Sequence, residues 1–445
     1  MTIDLEQFYE VCNPAEPIDM KNPQKRRYYV DFATVRGTKV IRSLKRVISH
    51  LSPNKPTCQL FTGHIGCGKS TELSRLQAEL EEKGFHVVYF EAKEDLEFDD
   101  VDISDILLAI AHQVSASLQQ SKIKLSTEGL QGFVNELWSI LKTPVEFSEA
   151  EVSLPGGLAK ITAKAKASQP ARSKLRQFME PQTMRLLNLI NEEIINVAQE
   201  QLKKRGQKGL VVIIDDLDRI RYSNTSYSNK SLPEYIFVEK GEQLRKINCH
   251  LVYTLPMALI YSNKCGDMEQ RLGGGLKTQV LPMVPTQSRD GQEFAEGMEL
   301  LRQMVLSRAF PELAPQERRG LITEVFETEA TLDRLCRISG GHSRNLLGML
   351  YGCLREEDPP ISAETLESVI QGYRDDLLLK IDDKEWELLF RVAREQTVKG
   401  EEDAQIVLPS LFVFEYHDKE GKWFGLNPLL LETKKYRQWQ AQNKG

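Results

Sequence analysis

"CQLFTGHIGCGKSTEL", residues 58–73, decides how the rest of the chain is read. A short apolar run ending at Leu60 and Phe61 gives way to a stretch that fits G-x-x-x-x-G-K-[ST], with Gly63, Gly68, Lys69 and Ser70 at the fixed places. Each residue type answers a physical need. Gly63, Gly66 and Gly68 let the backbone curl with its N–H groups pointing inward at phosphate oxygens. Lys69 neutralises the outer phosphates, and the Ser70 hydroxyl can ligate a hard cation such as Mg²⁺. Leu73, Leu76 and Leu80 then recur on one stripe, so a helix begins at once and aims its positive end at the same anion. The candidate ligand contacts are Gly63, His64, Ile65, Gly66, Cys67, Gly68, Lys69, Ser70 and Thr71.

A second stretch, "LVVIIDDLDRI" at 210–220, runs five apolar residues into Asp215, Asp216 and Asp218. A buried strand ending in clustered acids implies a cation, and Mg²⁺ on a nucleoside triphosphate fits the loop upstream. Asp215, at the strand end, is the candidate metal carboxylate. Asp216 is placed to activate a water. For Asp218 and Arg219 a catalytic role and a loop salt bridge both stand.

Other short apolar strands are expected at Phe85–Phe90, His250–Thr254 and Thr278–Leu281, with helical stretches such as Glu234–Lys246 between them. Strands alternating with helices predict an α/β fold, a parallel sheet covered on both faces, with ligands at the carboxyl ends of the strands. Thr254 falls at such an end. It either senses the γ-phosphate or satisfies strand-end hydrogen bonds.

Residues 286–375 change to amphipathic helical segments, ELLRQMVLSRAF and TLDRLCRI among them. Within them, "SGGHSRNLLGML" at 339–350 ends one helix at Gly340 and Gly341 and starts another, with Ser343 as the expected cap. Arg344 then lies in a first helical turn, where the helix dipole disfavours a cation unless an external anion such as the γ-phosphate is near. The tail, 376–445, reads as a helix followed by an aromatic hairpin, a winged-helix-like pattern. From Arg374 onward it holds 12 Lys/Arg against 14 Asp/Glu, an acidic balance that suits protein packing or a protein partner better than DNA. Residues 143–180 read as an inserted β-hairpin about the turn Pro155–Gly157, with Arg172, Lys174 and Arg176 as a basic patch lacking evident local partners.

The net charge of −6 and pI of about 5.8 argue against a general polyanion binder, so a nucleic-acid contact would need a local patch. The seven cysteines form no CxxC pair and read as reduced, cytoplasmic thiols. No membrane-spanning run or signal-peptide pattern is expected.

Together these residues resemble the ASCE branch of P-loop NTPases, specifically the AAA+/STAND-like ATPases near the Orc/Cdc6 and KAP-type groups. GHIGCGKST resembles a Walker A motif, VVIIDDLDR a Walker B, LVYTLP a sensor 1 and GGHSRNLL a sensor-2 helix. "YYVDFATVRGTKVIRSL" at 28–44 is similar to the box that touches adenine in this group, which points to Val30, Arg36 and Gly37. The resemblance implies ATP and Mg²⁺, self-assembly, a helical lid and a C-terminal winged helix. It divides the chain into an N-terminal segment (1–56), a core (57–285), a lid (286–375) and a winged-helix-like domain (376–445). It also points to Arg271, just before the last core strand, either as an arginine presented to a neighbouring subunit or as a surface arginine beside a flexible loop. Walker B carries Asp215-Asp216 where AAA+ proteins usually have Asp-Glu, which puts fast hydrolysis in question and leaves Glu91, at the tip of the second strand, as a rival catalytic carboxylate. Three functions remain open: a slowly hydrolysing ATP switch for self-assembly or for an unidentified protein partner, in signalling or anti-phage defence; a DNA-transaction ATPase; and an ATP-bound scaffold without turnover.

Overall fold

In the computed structural model, which describes residues 3–125, 127–141, 154–223 and 230–443, five strands form one sheet. They are β1 (Cys58–Gly63), β2 (His86–Glu91), β3 (Leu210–Asp215), β4 (His250–Thr254) and β5 (Gln279–Leu281), ordered β2-β3-β4-β1-β5. β2 with β3, β3 with β4 and β4 with β1 pair in parallel. Every residue of β1, β3 and β4 is buried, and this two-sided burial is why they read as unbroken apolar runs rather than alternating ones. Register places Glu91 beside Asp215 and Phe61 beside Thr254, so Glu91, Asp215 and Thr254 all lie at carboxyl ends of strands. The expected α/β fold with a P-loop-type parallel sheet is the one that forms.

The chain folds as two compact units: residues 41–62 with 76–279, and residues 1–40 with 63–75 and 280–445. In the first, Val212, Ile214, Leu251 and Tyr253 of the sheet share a core with Leu107, Phe133, Leu158 and Ile194 from the helical layers. The stretch Glu234–Lys246 is helical but breaks at Lys240 into a π-helical segment, Glu234–Glu239, and an α-helix, Gly241–Arg245.

The β-hairpin expected over 143–180 does not match the described part of that segment. Residues 142–153 lie outside the described residues, while Leu154–Ala167 and Gln169–Met179 are helices. Leu154, Gly157, Leu158, Ile161, Thr162 and Ala165 are buried, a spacing of three and four rather than two. The alanine–lysine alternation imitates a strand, but both residues are strong helix formers and poor strand formers. Pro155 sits in the first turn, where its missing N–H has no helical partner to lose. Two of the three cations of the basic patch have a partner. Arg172 donates to Asp100 at 3.2 Å and Arg176 to the same carboxylate at 2.7 Å.

The second unit holds helices Ala295–Ala309, Glu329–Ile338, Ser343–Glu356 and Ala363–Leu378, then Asp383–Glu395 and Gly400–Val407. Strands β6 (Val413–Asp418) and β7 (Gly421–Leu426) follow as an antiparallel hairpin, a layout compatible with a winged helix. The helix expected to be capped by Ser343 is capped one residue earlier: His342 Nδ1 accepts from Asn345 N at 3.1 Å. Gly341, with φ +74°, has no room for a side chain, since a Cβ there would fall 1.7 Å from the Val284 carbonyl oxygen. Among the described residues, no helix is long and apolar enough to cross a membrane.

Candidate phosphate loop and carboxylate cluster

β1 passes directly into the glycine-rich loop, where Gly66 and Gly68 take φ of +85° and +100°. Lys69 is buried, and its Nζ donates to the carbonyls of Gly63 at 2.9 Å and His64 at 2.8 Å. The outer turn of the loop is clasped by the helix that carries Arg344. His342 Nε2 donates to Ile65 O at 2.7 Å, and the Arg344 backbone N–H donates to Gly66 O at 3.1 Å. A Cβ on Gly66 would sit 2.8 Å from His342 Nε2, so the clasp itself requires glycine there. These two bonds commit the Ile65 and Gly66 carbonyls to that helix, in a glycine-rich turn of the kind whose successive backbone N–H groups can form an anion-binding concavity. The side chain of Arg344 is exposed.

Arg36, expected on the adenine side, reaches the loop. It is buried, stacks over the Phe32 ring at 5.4 Å, and donates from a terminal nitrogen to Cys67 O at 2.7 Å. Val30 is half-buried, and Gly37 has φ +66°. Ser70 lies in the first turn of the helix Lys69–Glu81, and Thr71 Oγ1 accepts from Ile18 N at 3.2 Å. His64 is buried, and its Nε2 accepts from Glu415 N at 2.9 Å. Burial first, then His342 and Lys69, pushes the His64 pKa down to about 3; burial likewise lowers His342 to about 4. Both rings are therefore neutral at physiological pH.

The acids are held differently. Asp215 Oδ2 accepts from Tyr89 OH at 2.9 Å, and its Oδ1 from the Asp216 backbone N–H at 2.8 Å. Asp216 sits in the left-handed region, φ 65° and ψ 0°, a conformation that asparagine and aspartate tolerate better than other L-residues. Its Oδ1 pairs with Arg219 Nε at 2.9 Å; its buried Oδ2 accepts no hydrogen bond and lies 3.7 Å from Lys93 Nζ. Lys93 also pairs with Glu91. Burial, then Asp215, raises the Asp216 pKa to about 6. Asp215, Asp216 and Asp218 each offer an oxygen within 4.8 Å of the others. A buried oxygen without a hydrogen bond in a crowd of carboxylates is a donor set that a divalent cation relieves, so the residues fit Mg²⁺.

Thr254 is fully buried and its hydroxyl is occupied: it accepts from Leu217 N at 3.0 Å and donates to Ile214 O at 3.3 Å, fixing the turn that carries the aspartates. Arg271 is the exposed last residue of the helix Cys265–Arg271. The glycines after it do not form a loose arm. Gly273 N donates to Met268 O, Gly275 N to Glu269 O, and Thr278 N to the Glu269 carboxylate, winding the chain back onto the helix end.

Tyr89, Lys93, His342 and Glu415 escaped the sequence reading. Tyr89 alone carried a signal, since it lies two residues before Glu91 on the same strand face.

Residues 41–250 match a family model described as an ATPase domain predominantly from Archaea. With the loop motif and the sheet order, this region has the fold of a P-loop ATPase core. No curated protein gives a match. Similar solved structures include a Walker-type ATPase of Pyrococcus abyssi, 12% identical over 94% of this chain and 98% of that one, TM-score 0.44. They also include the Aeropyrum pernix Orc1 protein in complex with DNA (13%, 97% and 98%, TM-score 0.38) and Cdc6p from Pyrobaculum aerophilum (12%, 97% and 98%, TM-score 0.40).

Proposed function

We propose that the chain binds ATP with Mg²⁺, hydrolyses it slowly, and uses the bound nucleotide as a switch for self-assembly or for engaging a protein partner. The observation that carries this reading is the clasp of Ile65 and Gly66 by His342 and Arg344. The backbone that must wrap the phosphates is hydrogen-bonded to the first turn of the lid helix, so ligand-dependent adjustment of one biases the other. The loop Gly63–Thr71 takes the phosphates, Asp215 holds the metal, and Arg344 meets the γ-phosphate. Mg²⁺, when bound, neutralises phosphate charge during transfer. Asp216 takes the proton of the attacking water, with Glu91 as the rival. Slow turnover follows from Asp216: its carboxylate is short, and Arg219 and Lys93 hold it. The core, lid and winged-helix-like divisions at 57–285, 286–375 and 376–445 are part of this reading, as is Arg271 acting in trans.

The test is light scattering on the separated protein with ADP and with a non-hydrolysable ATP analogue, beside a steady-state ATPase measurement. A larger assembly, or tighter capture of an added partner, with the ATP analogue supports the switch. The same mass and partner affinity with both nucleotides contradict it. ATP binding with no turnover leaves a scaffold in place of an enzyme.

A further inference from the structure

Glu415 lies near the middle of β6, paired across the hairpin with Phe424, yet its backbone groups serve other partners. Its N–H donates to His64 Nε2, and its carbonyl accepts from Met283 N at 2.9 Å. On one side of this residue, the Phe414 ring meets His64 edge-on, with centroids 5.8 Å apart, and stacks on His342 at 5.7 Å and 17°. On the other side, Tyr416 OH donates to Gly340 O at 2.8 Å, next to the turn that starts the lid helix. Further along, a Cβ on Gly37 would fall 3.0 Å from the His417 carbonyl oxygen. One strand of the C-terminal hairpin therefore touches the phosphate loop, the turn before the lid helix and the segment around Gly37.

We infer that the C-terminal hairpin is a positioning element of the nucleotide site, coupled to the phosphate loop at His64, so that nucleotide binding and the state of the hairpin are thermodynamically linked. This rests on the proposal that the loop binds ATP. The chemistry of the coupling is specific. His64 is the first residue after Gly63, and its main chain forms part of the cradle: the His64 carbonyl is one of the two that hold Lys69. Its ring accepts a hydrogen bond only while Nε2 is unprotonated, and the strand N–H it satisfies belongs to a residue with a buried side chain. Loss of either partner leaves a polar group unsatisfied in an apolar setting and releases the loop from its outer support. Linkage is reciprocal. A partner that seats on the hairpin and shifts β6 changes nucleotide affinity, and nucleotide changes affinity for that partner by the same factor.

The experiment uses the full chain and Mg-ADP or Mg-ATP in calorimetric titrations. His64→Leu, which keeps bulk but removes the acceptor, weakens affinity by about tenfold, the scale of one buried hydrogen bond lost. His64→Gln, whose side-chain oxygen reaches the Nε2 position, restores most of it. Phe414→Leu, in a residue outside the loop, weakens affinity in the same direction. A merely structural contact would lower the melting temperature without this split between the two His64 variants. Should these variants fold poorly, hydrogen exchange on the unaltered protein decides: saturating Mg-ATP slows exchange at the Glu415 amide and its β6 neighbours. Two results are distinguishable failures. If the parent chain binds no ATP, the proposed function fails first. If the parent binds ATP and Lys69→Ala does not, while His64→Leu and Phe414→Leu bind like the parent or β6 exchange ignores nucleotide, the coupling inference fails alone.

Discussion

The phosphate loop and the aspartate turn are two short stretches that each follow a buried parallel strand, and they are held in opposite ways. Around the loop, the Lys69 ammonium and the carbonyls of Ile65, Gly66 and Cys67 are all hydrogen-bonded, and two buried histidines are kept neutral. At the turn, Asp216 occupies a left-handed backbone conformation, with one buried oxygen that accepts no hydrogen bond and a second carboxylate next to it. The first arrangement is pre-organised and gives up little on meeting an anion. The second stores charge that a cation or a reacting water relieves. On the proposed function, affinity belongs to the loop and turnover to the turn.

The sharpest way to break that division is Lys69→Ala. It removes the buried cation, and ATP affinity should fall by about 100-fold or more, as expected for losing charge-assisted contacts to phosphate. Calorimetric titration, with a cooperative melt as the check on folding, reads it. Unchanged affinity would remove the loop from the account.

A second test uses acid. His64 and His342 hold pKa values of about 3 and about 4 against 6.5 when exposed. As pH falls from about 6.5 toward 4, each of these two rings takes up a proton in the unfolded chain that it refuses in the folded one, as does buried His250, whose pKa is also lowered to about 4. Stability is therefore full above about pH 6.5 and is lost below it, by up to roughly 1.4 kcal/mol per pH unit for each histidine. Replacing His64 and His342 with Gln should flatten their part of the profile. Urea unfolding at pH 7.5 and pH 5 measures it, and an identical pH dependence in parent and double variant would show that the clasp does not depend on neutral rings.

Arg344→Ala sharpens the comparison on the lid side. The backbone N–H that reaches Gly66 survives the change, so ADP should bind as before, while the preference for ATP over ADP falls by about tenfold, one charge-assisted contact. Equal losses for both nucleotides would make Arg344 part of the clasp rather than a reader of the γ-phosphate. Arg271→Ala carries the smallest expected effect on binding, none. It should lower only concentration-dependent turnover, with partial rescue on mixing with Asp216→Asn. No rescue between variants that both assemble ends the trans reading.

The parallel sheet was legible because burial on both faces writes continuous apolar runs, and the loop because its glycines and lysine answer to one ligand geometry. The segment after residue 153 was misread because alternating alanine and lysine satisfy a period of two as easily as a helical one; burial at Leu154, Leu158, Ile161 and Ala165 broke the tie. The bond from Arg36 to Cys67 O was not legible, since sequence shows that a cation is present and not which carbonyl it meets. Glu415 left no trace, for its contribution to the loop is a backbone N–H delivered from 351 residues away.

The division between holding and cutting is tested most directly by measuring binding and turnover together on Asp216→Asn, with Glu91→Gln alongside. The account predicts that Asp216→Asn binds Mg-ATP as tightly as the parent and releases no phosphate, whereas Glu91→Gln still turns over. Normal hydrolysis by Asp216→Asn, with turnover lost in Glu91→Gln, would move the catalytic carboxylate to the second strand and contradict it.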